Sequence, residues 1–134
     1  EFAILADNKY VNDYSLMELS YNYNHDPTVI SNSVHSGKLP AIASFAKVKS
    51  GSSVVSSIKF AENRKDRLII RLYEVEGKMD EVVIEFKTLK PSDAWFVDLN
   101  EDNVLGKDVE IEHDRIKFKM NAYELKTVMV EFSK

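Results

Sequence analysis

From Val54 onward apolar and polar residues alternate with a period of two, the mark of strands with one buried face. Val54, Ser56, Ile58 and Phe60 share one side of the first such run, and Val55, Ser57 and Lys59 the other. The cluster Glu62-Asn63-Arg64-Lys65-Asp66 reads as a polar turn. Leu68-Ile69-Ile70-Arg71-Leu72-Tyr73-Glu74-Val75 follows, with Leu68, Ile70 and Leu72 on one side. Its wealth of β-branched and large apolar residues predicts a strand partly covered on both faces. Glu76-Gly77-Lys78 supplies a turn with one residue able to take positive φ.

Val82, Ile84 and Phe86 then alternate with Val83, Glu85 and Lys87, and Pro91-Ser92-Asp93 interrupts the pattern. It resumes with Trp95, Val97 and Leu99 set against Phe96 and Asp98, before a polar loop containing Asn103 and Gly106. Val109 and Ile111, then Ile116, Phe118 and Met120, flank His113-Asp114 as a tight hairpin, with Glu112 and Arg115 opposed. Val128, Val130 and Phe132 form the last strand. Counting the hairpin once, these are six strand stretches at intervals of about ten residues. The fold class is all-β, an antiparallel β-sandwich, with a barrel as the related solution.

The N-terminal part is less regular. Leu16 to Tyr23 can alternate, placing Leu19, Tyr21 and Tyr23 on one face of an extended segment that Asp26-Pro27 stops. No amphipathic helix longer than two turns is supported, and Ser50-Gly51-Ser52-Ser53 is the turn into the regular half. No internal repeat, low-complexity tract or linker divides the chain, so residues 1–134 are expected to form one domain.

Composition narrows the function classes. At 134 residues, 44% hydrophobic and 30% charged, the chain suits one globular core. Its net charge of -4, with 18 Lys+Arg against 22 Asp+Glu, argues against a nucleic-acid partner. No apolar run approaches the ~18 residues of a spanning helix, so no membrane partner is expected. Cysteine is absent, which removes disulfides, thiolate zinc sites and a cysteine nucleophile together. No asparagine is followed by the x-Ser/Thr of a glycan acceptor. These two absences point towards a prokaryotic cytoplasm, and the opening Glu1-Phe2 towards a processed or excised segment.

Candidate chemistry is sparse. His25, His35 and His113 lie at no metal-ligand spacing from one another, so no metal site is expected in this chain. Four single glycines cannot build a phosphate loop, and no serine sits in a nucleophile-elbow context. A pair of catalytic carboxylates is compatible with so many acidic residues, but nothing locates one. No catalytic residue is assigned. The sharper feature is Tyr21 with Tyr23, two apart on an extended segment and continued by His25. Such a platform stacks on the apolar faces of sugar rings, while the plainer reading makes these core or interface rings. Arg71 and Glu74 interrupt an apolar strand, and an Arg so placed must bridge to a carboxylate or to another domain.

The stretch Val54-Val55-Ser56-Ser57-Ile58-Lys59-Phe60-Ala61-Glu62, a turn, and Leu68 to Gly77 together resemble a run near the C-terminus of class II α-mannosidases. These are the zinc-dependent retaining enzymes of glycoside hydrolase family 38. Three more segments are similar in the same order: Tyr21-Asn22-Tyr23-Asn24-His25, Trp95-Phe96-Val97-Asp98-Leu99-Asn100-Glu101 and Ala122-Tyr123-Glu124-Leu125-Lys126-Thr127-Val128. Asn24 stands where the family has Pro before the histidine, and Ala122-Tyr123 where it usually has Pro-Phe.

The resemblance implies that the chain is the C-terminal β-sandwich of a larger enzyme. The zinc ligands, nucleophile and acid/base residue of that family lie in an N-terminal domain with no counterpart here. No cofactor is then expected in this chain, and zinc only in the parent. The implied partners are the catalytic and helical domains of the same polypeptide, and mannose-containing glycans if Tyr21, Tyr23 and His25 reach the sugar site. An autonomous carbohydrate-binding β-sandwich module is the alternative, and a plain protein-interaction sandwich the third reading.

Overall fold

A computed structural model describes residues 4, 6, 12–38, 40–104 and 109–133; the expected loop glycine Gly106 lies outside them. Among the described residues one helix, α1 (Asp13–Asn24), precedes eight strands. These are β1 (Ala46–Lys49), β2 (Ser53–Phe60), β3 (Arg67–Glu74), β4 (Asp80–Phe86), β5 (Pro91–Val97), β6 (Glu110–Glu112), β7 (Arg115–Met120) and β8 (Leu125–Phe132). They form two four-stranded antiparallel sheets, β1-β4-β7-β6 (sheet A) and β2-β3-β8-β5 (sheet B), packed as the expected sandwich.

Alternation explains the core. Val82, Ile84 and Phe86 of β4 and Ile116, Phe118 and Met120 of β7 face Ile70 and Leu72 of β3, Phe96 of β5, and Val128 and Val130 of β8. Burying each of these is worth roughly 1.5–3 kcal/mol, which is why the strand faces cannot swap. Phe86 meets Phe132 edge to face at 5.0 Å and Phe96 meets Phe118 at 5.5 Å, both within the favourable range for aromatic pairs.

Several local expectations need correction. The ladder of β2 shifts register between Val55 and Ser57, and this bulge changes the phase of the strand. Val55 opposes Leu72, Ile58 opposes Ile70 and Phe60 opposes Leu68, so Val55 joins Ile58 and Phe60 on the core side. Ile58 and Phe60, at the end of this edge strand, nevertheless stay 49% and 63% exposed. Pro91 opens β5 instead of breaking it. The strand is at a sheet edge, where a residue without an N–H costs no ladder bond, and a register irregularity follows at Pro91/Asp93. Trp95 and Val97 face outward from sheet B, over a second small cluster with Ala61, Ile69 and Met129.

The N-terminal segment is helical, not extended. The Asn12 side chain accepts the Ser15 N–H at 2.9 Å, an N-cap signal, and Asp13 adds a favourable charge to the first turn. The helix ends at His25 ahead of Asp26-Pro27, whose ring disfavours helical geometry in the residue before it. None of its residues is buried, and its apolar side chains gather on no one face, which hid it from a search for amphipathic periodicity.

Candidate functional site

Three connections between the sheets meet at one end of the sandwich: Ser50–Ser52 before β2, Val75–Met79 after β3, and Asn121–Glu124 before β8. Two carboxylates bind them together. Glu74, only 3% exposed, accepts the backbone N–H groups of Glu76 (2.7 Å), Gly77 (2.8 Å), Lys78 (3.3 Å) and, across the sheets, Tyr123 (2.8 Å). Burial pushes this carboxyl up, but the Tyr123 N–H and the turn N–H groups outweigh it and hold the pKa at about 2. Gly77 takes φ 71° to close this turn. Asp80 does the same for the other connection. It accepts the Ser53 hydroxyl at 2.6 Å, the Gly51 N–H at 3.0 Å, the Ser52 N–H at 3.2 Å and the Ser50 hydroxyl. Burial raises its pKa and the Ser50 and Ser53 hydroxyls reverse this, leaving it below the ordinary range.

A third carboxylate crosses the outer face of sheet B. The turn Asp98–Glu101, closed by the Glu101 N–H on the Asp98 carbonyl and by Asp98 Oδ1 accepting from Asn100 and Asp102, sends residues 98–104 back over the sheet. Glu101, at φ 68°, reaches the opposite edge, where it pairs with Lys59 at 2.6 Å and accepts the Glu62 N–H at 2.8 Å. Lys59 first, then that N–H, keeps its pKa below the ordinary range. Asn103 takes the Trp95 indole N–H at 2.6 Å, and the Arg67 guanidinium lies 4.9 Å over the same ring. This loop is what covers Ile69, Val97 and Met129.

General acid catalysis needs a carboxyl whose pKa is raised. Glu74, Asp80 and Glu101 are shifted the other way, with their oxygens occupied by fold-forming donors. Their chemistry is structural. Among the described residues no three His, Asp or Glu side chains converge as metal ligands.

The structure places Tyr21 and His25 together and Tyr23 apart. Positions two apart on a helix point about 200° around the axis from each other, so the two tyrosines share no face. Tyr21 and His25, a turn apart, stack with centroids 3.9 Å apart and planes at 10°. His25 Nδ1 lies 3.0 Å from the Tyr21 carbonyl, placing the proton on Nδ1 when the ring is neutral. Tyr21 also lines a cavity of about 220 Å³ between α1 and the open β1/β2 side, with Tyr14, Glu18, Val48 and Val54. His35 and His113 lie elsewhere, the latter at φ 54° in the β6–β7 turn.

A second cavity, about 570 Å³, was not legible from periodicity. It lies against the outer face of sheet A and is lined by Glu81, Glu110, Lys117, Lys119, Asn121 and Lys126 among others. Lys126 donates to the Lys119 carbonyl at 2.7 Å and lies 4.7 Å over the Phe96 ring. Among the described residues three ion pairs lie on this face: Lys49–Glu85 at 2.6 Å, Lys117–Glu81 at 3.0 Å and Glu112–Arg115, opposed as expected, at 3.7 Å. Arg71, expected to bridge to a carboxylate or another domain, donates its Nε–H to Thr127 Oγ1 at 3.2 Å.

Comparison with known proteins gives one match. The model for the glycosyl hydrolases family 38 C-terminal beta sandwich domain covers residues 52–128, more than half of the chain. No curated protein and no solved structure matches significantly. The matched stretch starts at Ser52, in the turn bound by Asp80, and ends within β8.

Proposed function

We propose, from the premise that the chain belongs to the family of C-terminal β-sandwich domains of glycosyl hydrolases family 38, that it is the non-catalytic end of an α-mannoside hydrolase. In this reading residues 1–134 act as one unit that packs on the catalytic and helical domains of the same polypeptide. Zinc and the reacting carboxylates belong to those other domains. The observation that carries the reading is the family match itself, which runs from Ser52 into β8 and so includes both Glu74 and Asp80. A sandwich whose turns are fixed this way is a rigid platform for neighbouring domains.

Of Tyr21, Tyr23 and His25, the proposed sugar contacts are Tyr21 and His25, with the outer faces of their stacked rings as the platform, since Tyr23 points to another side of the helix. In the whole enzyme Tyr21→Ala is expected to lower kcat/KM for an aryl α-mannoside without moving Tm; unchanged kinetics discards the contact. The parent activity itself is tested by aryl α-mannoside hydrolysis that a chelator abolishes and Zn²⁺ restores. The exposed Tyr21–His25 stack also favours a second reading, an autonomous carbohydrate-binding module. Titrating mannose oligosaccharides into the 134-residue chain while following Trp95 and tyrosine fluorescence separates the two, since saturable binding supports the module.

A further inference from the structure

We propose that Arg71 fastens this sandwich to the preceding part of its polypeptide by receiving a carboxylate from it, on an outer sheet face shared with Tyr73 and Leu125. The inference rests on the reading above and names the face that does the docking.

The strand register defines that face. Arg71 stands opposite Thr127, and Tyr73 opposite Leu125, with Ser57 and Val54 beside them on β2. All lie on the outer side of sheet B, since Ile70 and Leu72 between them point into the core. The 98–104 loop shields the other half of this side, where Ile69 and Met129 are 1% and 6% exposed. On the half bearing Arg71, Leu125 is 53% exposed, while Arg71 and Tyr73 are half-buried.

The guanidinium selects the partner. Its Nε–H is fixed on Thr127 Oγ1, which sets the plane of the group. Among the described residues no hydrogen bond or ion pair takes its two terminal nitrogens. Glu101 feels the charge of Arg71, but its carboxylate is engaged by Lys59 and the Glu62 N–H. A half-buried cation held in one orientation with a vacant fork is matched by a carboxylate, which it can receive bidentately. On sheet A three of the outer cations, Lys49, Lys117 and Arg115, already have carboxylates of their own sheet.

Shape distinguishes a protein partner from a small ligand. Neither of the two cavities described above includes Arg71, Tyr73 or Leu125, and small molecules bind in concave sites. An open sheet face that sets Arg71 beside Tyr73 carries two of the residue types enriched at the energetic centres of protein interfaces.

The test is amide hydrogen exchange on the full polypeptide and on the isolated 134-residue chain, each with Arg71, Arg71→Lys, Arg71→Gln or Leu125→Ser. In the full polypeptide, amides of residues 71–73 and 121–127 should exchange more slowly than in the isolated chain. Arg71→Gln should remove that extra protection by on the order of tenfold or more, with Arg71→Lys in between. In the isolated chain Arg71→Gln should leave exchange in β4 and β7 unchanged. Should that variant unfold the chain, Leu125→Ser, at a half-exposed position, gives the same readout. Protection elsewhere on the sandwich but none at these residues overturns this inference alone. No added protection anywhere on the sandwich overturns the docking reading as well.

Discussion

Replacing Glu74 with Gln keeps the shape of the side chain but removes the charge that gathers four backbone N–H groups. It also turns an amide NH₂ towards donors, leaving at least one of them without an acceptor. The native pKa of about 2, against an ordinary 4.5, sets the size of the effect. That difference corresponds to roughly 3 kcal/mol of stability, and solvent screening at the end of the sandwich brings it to about 2 kcal/mol. The sign follows from a depressed carboxyl: the stabilisation is complete above pH 4.5 and is lost as pH falls towards 2. Urea titrations of the native chain and the Gln variant across that range isolate the contribution, because every other titrating group cancels in the difference. At pH 7 the variant's midpoint should be lower by roughly 1 M, for an m-value near 1.5–2 kcal/mol/M. At pH 2 the two curves should nearly coincide. A gap that is absent at pH 7, or equal at pH 7 and pH 2, refutes the role given to this carboxylate.

Gly77→Ala forces a Cβ into φ 71° and within 2.5 Å of the Tyr123 ring, and should cost roughly 1–2 kcal/mol in thermal or urea unfolding; an unchanged midpoint would mean the turn relaxes. Glu101→Gln should speed amide exchange in residues 98–104 and shift Trp95 emission, with little change in β7, since it releases the loop and not the core. Ile70→Ala removes a fully buried side chain and should cost about 2–5 kcal/mol, whereas Phe60→Ala, 63% exposed, should cost well under that in the isolated chain. Equal losses at the two positions would contradict the uncovered β2 edge.

Long strands with clean alternation were legible because burial of one face leaves few other arrangements. β3, β4, β7 and β8 stand where Leu68–Val75, Val82–Phe86, Ile116–Met120 and Val128–Phe132 predicted them, to within a few residues. β1 escaped because four residues, Ala-Lys-Val-Lys, carry too little pattern. On β2 alternation alone puts Val54 on the core face, but a bulge resets the period, and no propensity rule marks a serine as bulged. Leu16–Tyr23 shows the limit of alternation over a short window: the same residues fit a strand, and the Asn12–Ser15 cap was the signal for a helix. Glu74 was visible as an interruption in an apolar strand. Its task was not, because the N–H groups it accepts include one almost fifty positions away, at Tyr123. Charged residues recruited by distant turns leave no periodic trace, which is why the carboxylates at Asp80 and Glu101 also had to be seen in space.

Complementation tests directly whether the chemistry lies outside this chain and the support within it. The 134-residue chain, the polypeptide lacking it, and the two mixed are each assayed for aryl α-mannoside hydrolysis with Zn²⁺ present. The chain alone should show no turnover, the remainder a reduced rate, and the mixture a rate restored towards that of the intact enzyme. Turnover by the 134-residue chain alone, surviving removal of metal, would contradict that division.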